Sequence, residues 1–137
     1  MKNNAFPFNS LALKGHRALI CGASKGIGKS VAEAMAKAGA DIIVSSRNKE
    51  ALEQLCEELI DMGANTAKAA PVDFEDISSV KVMVSELVKE GPIHILINNA
   101  AGPPGGPLLG VEISDFEPAF KRHLHAAHTI TKMLVPG

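Results

Sequence analysis

Short apolar runs alternate with amphipathic stretches along the chain from residue 17 onward. The runs at 17–21 and 41–45 each contain an unbroken apolar stretch, at 18–21 and 42–44, which is typical of strands that are covered on both faces. Between them, apolar residues recur about every four positions, which is the spacing of a helix. The pattern therefore predicts an α/β protein with a parallel sheet between two layers of helices.

The residues at the ends of the predicted elements are typical caps and breakers. Gly39 and Gly63 follow the first and second helices, Asn48 precedes the second as an N-cap residue, and Gly91-Pro92 ends the third. In chain order, the predicted elements are strand 17–21, helix 27–38, strand 41–45, helix 48–62, strand 66–72, helix 76–89, strand 93–97 and helix 115–134.

Within these helices, apolar residues recur at the spacing of one helix face. Those of the third helix are predicted to face inward. The residues are Ile27, Val31 and Met35 in the first helix, Leu52, Leu55, Leu59 and Met62 in the second, and Ile77, Val80, Val84, Leu87 and Val88 in the third.

Three further features complete the predicted layout. Right-handed crossovers between parallel strands place the four strands in the order 3-2-1-4. Residues 102–110, rich in glycine and proline, form a loop just past the carboxyl end of the fourth strand, where ligands bind in such sheets. Ser114 and Glu117 have the spacing of a capping box at the start of the last helix.

A glycine-rich loop joins the first strand to the first helix. Its glycines are Gly22, Gly26 and Gly28, with the spacing Gly-x-x-x-Gly-x-Gly rather than the commoner Gly-x-Gly-x-x-Gly. Because glycine lacks a Cβ and tolerates positive φ, a phosphate can approach the backbone N–H groups and the positive end of the helix. An ordinary strand-to-helix turn is the alternative, but the flanking strand and helix favour a nucleotide-binding loop.

The end of the second strand indicates which nicotinamide cofactor is bound. An NAD site has an acidic residue there for the ribose 2′-hydroxyl, whereas this chain reads Ser45-Ser46-Arg47-Asn48. Arg47 is placed to hold a 2′-phosphate, and Lys25 in the glycine loop is placed to reach it from the other side. The two cations favour NADP(H) over NAD(H); the alternative is that both are solvated surface charges.

Composition narrows the class of protein further. The 137 residues predict one domain, and 14 basic against 15 acidic residues give a net charge of −1. The charge balance argues against nucleic acid or a membrane surface as a partner. No apolar run reaches the length of a membrane span, and residues 1–15 do not resemble a signal peptide. Cys21 and Cys56 are predicted to be free thiols, which fits a cytoplasmic location.

The chain resembles the N-terminal half of a short-chain dehydrogenase/reductase over about residues 11–137. The family's Thr-Gly-x-x-x-Gly-x-Gly loop matches residues 21–28, with Cys21 in place of the threonine. The family's Asp after the third strand matches Asp73, and its Asn-Asn-Ala-Gly matches residues 98–101, with Ala101 in place of the glycine. The loop at 102–110 further resembles that of 3-oxoacyl-[acyl-carrier-protein] reductases. The resemblance implies a Rossmann-type doubly wound parallel sheet.

The resemblance also implies an NADP(H)-dependent oxidoreductase that transfers a hydride between the cofactor and a carbonyl or alcohol. Together with the loop argument, it gives a set of candidate cofactor-binding residues in the glycine loop, at the end of the second strand and after the third and fourth strands. These residues are Gly22, Ser24, Lys25, Gly26, Ile27, Gly28, Arg47, Asp73, Phe74, Asn99, Ala100, Ala101 and Gly102.

The family's catalytic Ser, Tyr and Lys are not matched, because the chain contains no tyrosine. We therefore expect residues 1–137 to be a single, truncated dinucleotide-binding domain without the C-terminal strands and without an assigned catalytic residue. His123 stands where the family often has a helix asparagine that supports the proton relay; a surface or packing histidine is the alternative. With His125 and His128 it forms a small cluster in which no metal site is expected.

Two other functions remain open from the sequence. The chain could be a catalytically inactive NADP(H)-binding or scaffold protein, or a non-functional remnant. A complete enzyme would act on a small carbonyl or alcohol substrate. The apolar edge of the fourth strand and the long last helix favour a homo-oligomer, either a dimer or a tetramer.

Overall fold

A computed structural model of the chain describes residues 9–102 and 105–136. Its centre is a four-stranded parallel sheet that matches the predicted strand order, with the third strand at one edge and the fourth at the other. The strands are β1 (Arg17–Cys21), β2 (Asp41–Ser45), β3 (Thr66–Ala69) and β4 (Ile95–Ile97). The predicted fold class and strand order are therefore confirmed.

Helices cover both faces of this sheet. They are α1 (Gly26–Lys37), α2 (Lys49–Met62), α3 (Ile77–Lys89), α4 (Ile113–Phe120) and α5 (Ala127–Leu134), with a 3-10 turn at Leu108–Gly110 and a π-helical segment at Lys121–Ala126. None of the helices in the described part of the chain combines the length and apolarity needed to cross a membrane.

The core has two layers because alternate residues of β1 point to opposite faces of the sheet. Ala18 and Ile20 pack with α1 and α2 on one face. Leu19 and Cys21 pack with α3, the π-helical segment and α5 on the other. All four side chains are buried, which accounts for the apolar run without polar alternation.

Helix α1 approaches the sheet closely through small residues. Gly28, Ala32 and Ala36 form its buried face, whereas Ile27 is 76% exposed. A Cβ at Gly28 would collide with the carbonyl group of Gly22. A larger residue at this position would therefore push the helix start away from the sheet and distort the loop. The apolar spacing identified the helix but not the face that it buries.

The caps of α2 and α3 agree with the sequence in most respects. The Asn48 side chain accepts a hydrogen bond from the Ala51 N–H at 3.0 Å, and Gly63 ends α2 in the left-handed conformation. In α3, the predicted inward residues Val80, Val84 and Leu87 are buried, but Val88 is exposed, so that part of the prediction was wrong. Val88 follows Leu87 directly and turns toward solvent, because neighbouring residues lie on different faces of a helix.

Strands β3 and β4 are shorter than predicted. β3 ends at Ala69 rather than at residue 72, although the N–H groups of Ala70 and Val72 still donate to carbonyls of the chain at and just after β2. Pro71 lies between them and has no N–H to continue the ladder. β4 begins at Ile95 rather than at residue 93.

The last helical region begins earlier than predicted and is not uniform. Because α4 starts at Ile113, Glu112 is its N-cap residue. The Asp115 carboxylate accepts a hydrogen bond from the Glu112 N–H at 2.8 Å. The predicted capping box of Ser114 and Glu117 was therefore wrong. Instead of one regular helix, α4 continues through the π-helical segment into α5. The widened turn changes which side chains face the sheet.

Candidate functional site

An open cleft of about 560 Å³ lies at the carboxyl ends of the strands, at the point where the chain direction across the sheet reverses between β1 and β4. Eleven of the thirteen candidate residues line it, all except Gly28 and Gly102. The structure thus brings together segments that lie far apart in the sequence. The lining residues are Gly22, Ser24, Lys25, Gly26, Ile27, Ser46, Arg47, Asn48, Ala51, Asp73, Phe74, Asn99, Ala100, Ala101 and Arg122.

The glycine loop has the backbone geometry that an anion-binding loop needs. Gly22 and Gly26 have φ values of 62° and 59°, in the left-handed region that favours glycine. No heavy atom lies within 4 Å of the position of a Cβ at Gly26, so this part of the loop is open. Lys25 is the N-cap residue of α1 but makes no side-chain cap bond, and the first turn has no acidic residue. The N–H groups of this turn therefore face the cleft without a side-chain acceptor.

Asn99 fixes the glycine loop to the end of β4. Its Nδ2 donates to the carbonyl oxygens of Cys21 at 3.3 Å and Gly22 at 3.1 Å. A Cβ at Gly22 would lie 2.7 Å from both the Nδ2 and the backbone carbonyl oxygen of Asn99, so only glycine fits here without a shift. Asn99 lines the cleft, but its amide N–H groups are used to hold the loop.

The end of β2 contains two serines with opposite surroundings. The Ser45 hydroxyl donates to the Ala70 carbonyl at 2.6 Å and is fully buried. Ser46 is only 8% exposed, and its Oγ has no hydrogen-bond partner within the described ranges. Buried hydroxyls without a partner are rare and call for a ligand or a water molecule. Ser46 lines the cleft beside Arg47, which is exposed.

The turn between β3 and α3 forms the next part of the cleft. Asp73 accepts the Glu75 N–H at 3.0 Å, which fixes the turn, and Phe74 is buried against the core. Asp76 caps α3 by accepting the N–H groups of Ser78 and Ser79. The hydrogen bond from the Ser79 hydroxyl lowers the pKa of the Asp76 carboxyl below its ordinary value.

Arg122 is the principal cleft residue that the sequence analysis missed. Its guanidinium pairs with Glu75, and its Nε donates to the Ala101 carbonyl at 3.1 Å. Nη2 donates to the Gly102 carbonyl at 3.4 Å. No pattern in the sequence marks this residue, because the π-helical segment that turns it toward the cleft has no sequence signature.

Ser46, Asn48 and Ala51 were also absent from the candidate set. A signal for Ser46 was available, because it directly precedes Arg47 at the end of β2. Asn48 was identified only as a helix cap, and that role is observed. Ala51 lies in the first turn of α2 and lines the cleft because that turn borders it.

His123 lies beside the same loop. Its Nε2 is 3.0 Å from the Ala101 carbonyl oxygen, and it lines a small cavity of about 20 Å³ together with Cys21 and Asn98. A cavity of this size has room for one water molecule. His125 and His128 are exposed, and among the described residues no three His, Cys, Asp or Glu side chains are placed to hold a metal ion.

Both cysteines are free thiols. Burial raises the pKa of the Cys21 thiol to about 12, so it is neutral at physiological pH. Partial burial, and to a lesser extent the carboxylate of Glu53, also raises the pKa of Cys56. Neither thiol has the lowered pKa of a reactive cysteine.

Comparison with known proteins identifies relatives over most of this chain. A family model described as short chain dehydrogenase matches residues 16–137. The chain is 33% identical over 126 residues to the ketoacyl reductase HetN of Nostoc sp. (strain PCC 7120), and this alignment covers 91% of the chain and 44% of HetN.

Two solved structures have the same fold as this chain. The L-sorbose reductase from Gluconobacter frateurii, complexed with NADPH and L-sorbose, superposes with a TM-score of 0.84 at 26% identity, covering 93% of this chain and 49% of that one. A gluconate 5-dehydrogenase from Burkholderia cenocepacia J2315, in complex with NADP and tartrate, gives a TM-score of 0.80 at 30% identity, with 93% and 50% covered. The chain therefore spans about half the length of these relatives.

Proposed function

Because the chain belongs to the short-chain dehydrogenase family, we propose that its cleft binds NADP(H). We further propose that residues 1–137 act as a single dinucleotide-binding domain. In this proposal the domain serves an oxidoreductase that transfers a hydride between NADP(H) and a carbonyl or alcohol substrate. The NADPH and NADP in the two superposed structures support this choice of cofactor.

The main support for this proposal is the Ser46 hydroxyl, which has no hydrogen-bond partner among the described residues. It is buried at the end of β2, in the same cleft as Arg47 and Lys25. A 2′-phosphate at this point would give the hydroxyl an acceptor and would face two cations. NAD(H) would present only a hydroxyl group there and would leave both cations unpaired. The residues at this end of the cleft therefore fit NADP(H).

The glycine loop fits the pyrophosphate for a different reason. The open space at Gly26 and the uncapped N–H groups at the start of α1 form a cradle for an anion that a Cβ would fill. Ser24 and Ile27 line the same part of the cleft. Gly28 lies behind the loop and gives α1 its close approach to the sheet instead of touching the ligand.

The remaining candidate residues are placed to hold the adenosine part. Asp73 and Phe74, in the turn after β3, and Ala100 and Ala101, in the loop after β4, line this part of the cleft. We assign Asn99 to holding the glycine loop, because its amide is hydrogen bonded to that loop.

When bound, NADPH would supply the hydride. The residues named here bind and orient the cofactor, and none of them is assigned a proton-transfer role. The family's catalytic tyrosine has no counterpart among these 137 residues. We assign His123 a packing role, because its Nε2 lies 3.0 Å from the Ala101 carbonyl oxygen and ties the helical segment to that loop.

A small carbonyl or alcohol substrate, homo-oligomer formation, the cytoplasmic location and the resemblance to 3-oxoacyl-[acyl-carrier-protein] reductases stay predictions. Apolar side chains exposed along α4 and the π-helical segment, among them Ile113, Phe120 and Leu124, support self-association. Light scattering of the purified chain would measure it directly.

Calorimetric titration of the chain with NADPH and with NADH tests the proposal. We expect NADPH to bind at least about tenfold more tightly, which corresponds to about 1.4 kcal/mol from the 2′-phosphate. Equal affinities would contradict the 2′-phosphate site, and no binding of either would contradict the function. NADPH oxidation in the presence of ketones is then measured separately. Binding without turnover would favour the catalytically inactive NADP(H)-binding alternative.

A further inference from the structure

Arg122 connects three parts of the molecule through one side chain. Its guanidinium pairs with Glu75 in the turn after β3 and donates to Ala101 and Gly102 in the loop after β4. The Arg122 side chain is 15% exposed although it carries a charge. Three of its five N–H donors thus have partners, and the ion pair compensates the burial of the charge.

Arg122 and its neighbour His123 lie in the π-helical segment. The Nε of Arg122 and the Nε2 of His123 both lie close to the carbonyl oxygen of Ala101. A π-helical turn is wider than an α-helical one. Segments of this kind are frequent at functional sites.

The partners of Arg122 belong to two separate segments, the turn after β3 and the loop after β4. Glu75 directly follows Asp73 and Phe74, which line the cleft, and Ala101 and Arg122 line it as well. A guanidinium that bonds to both segments limits how far they can move apart. Asn99 fixes the glycine loop separately, so the Asn99 and Arg122 links hold different segments of the cleft lining.

We propose that Arg122, anchored by Glu75, is a positioning residue that holds the Ala101–Gly102 backbone at the distance and orientation that the nucleotide requires. This inference rests on the proposed function, because it presumes that the cleft binds NADP(H). The residue acts through the backbone that it holds, not through contact with the ligand.

The test is a double-mutant cycle read out by NADPH affinity. Arg122→Met keeps the apolar stem and removes the donors, and we expect it to weaken NADPH binding about tenfold. Glu75→Ala removes the anchor and is expected to weaken binding about fivefold. The double variant should bind no more weakly than Arg122→Met alone, because the two changes disrupt one link.

Two further variants serve as controls. Glu75→Gln keeps an acceptor for the guanidinium and should restore most of the affinity lost in Glu75→Ala. Lys121→Met removes a neighbouring exposed cation on the same helical segment and should leave the affinity unchanged. Circular dichroism establishes that each variant is almost wholly folded during the titration, since a small unfolded fraction does not change a measured affinity.

Each outcome of the cycle decides the inference. If Glu75→Ala binds NADPH as tightly as the original chain or more tightly, the guanidinium acts by direct contact and the positioning role is wrong. If losses in the two single variants add fully, the two residues do not act as a unit. Should Arg122→Met fail to fold, the comparison of Glu75→Ala with Glu75→Gln still decides the question. Absence of NADPH binding by the original chain would overturn the proposed function and this inference together.

Discussion

The two sides of the cleft are built in different ways. The first side, formed by residues 22–28 and 46–48, relies on backbone conformation: glycines in the left-handed region, the uncapped start of α1 and the end of β2. The second side, formed by residues 73–75 and 98–102 with Arg122, is held by side chains that bond to carbonyl groups. Backbone geometry of the first kind leaves a sequence signature, and side-chain links of the second kind do not.

The largest effect should come from the backbone of the first side. Gly26→Val places a β-branched side chain at φ 59° and fills the open space above the loop. We predict that NADPH binding weakens at least about 100-fold and that the protein loses about 1–3 kcal/mol of stability. Calorimetry and urea unfolding measure the two quantities.

Gly110→Ala is the matched control for that change. Gly110 has no positive φ, and no heavy atom lies within 4 Å of its Cβ position. The NADPH affinity and the stability of the Gly110→Ala variant should stay close to those of the original chain. Retained NADPH binding in Gly26→Val would remove the argument that the loop holds the pyrophosphate.

Charge reversal at Arg47 should give the next largest effect. Arg47→Asp is expected to weaken NADPH binding about 30-fold and NADH binding less than about threefold, because only NADPH has a 2′-phosphate that the new carboxylate repels. Titration with both cofactors gives the ratio. Lys81→Asp, on α3 and outside the lining of the cleft, changes the net charge equally and should change neither affinity. An equal loss for both cofactors in Arg47→Asp would contradict the 2′-phosphate site.

The two serines at the end of β2 offer a closer comparison. Ser46→Ala removes a hydroxyl without a partner, so we expect about threefold to tenfold weaker NADPH binding, unchanged NADH binding and equal or slightly higher stability. Ser45→Ala removes a hydroxyl that is bonded to Ala70, so it should cost about 1 kcal/mol of stability and leave the ratio of the two affinities unchanged. The opposite pattern would mean that Ser46 is structural.

The last prediction concerns the pH dependence of stability, which has no effect on the protein at neutral pH. The folded Cys21 has a pKa of about 12 against an ordinary value of 9.0, so the folded state favours the neutral thiol. Its contribution is therefore complete below pH 9 and falls as the pH rises toward 12, by about 1.4 kcal/mol per pH unit at most. Urea unfolding at several pH values measures this slope, and Cys21→Ala should reduce it. An unchanged slope in Cys21→Ala would assign the effect to other groups.

Most of the first side of the cleft could be predicted from the sequence, because its features are local. The glycine spacing, the apolar run before it and the lack of an acid after β2 are local features that only a few backbone arrangements satisfy. The family match to residues 16–137 confirms the resemblance that these features gave. The order of the strands was predictable because crossovers have a fixed hand.

On the second side, Asp73, Phe74, Asn99, Ala100 and Ala101 were predicted and line the cleft, but the side-chain link through Arg122 was not, because it depends on where helix residues point. Apolar spacing placed Ile27 with Val31 and Met35, yet the sheet selects the smaller residues Gly28, Ala32 and Ala36 for close contact. The link through Arg122 depends on a widened turn that no local sequence rule predicts. Tertiary contacts determined both outcomes.

The strand order also affects the sequence in which the strands pair during folding and how easily they unfold locally. Ala18 of β1 pairs with Ile42 on one side and with Ile95 on the other, so the pairing with β4 closes a loop about three times as long. That difference costs about 1 kcal/mol of additional chain entropy. The β1–β2 unit can therefore form early during folding, whereas β4 and the loop that Arg122 holds join it late. Amide hydrogens of β4 should consequently exchange with solvent faster than those of β2, and NADPH should slow the exchange of β4 more.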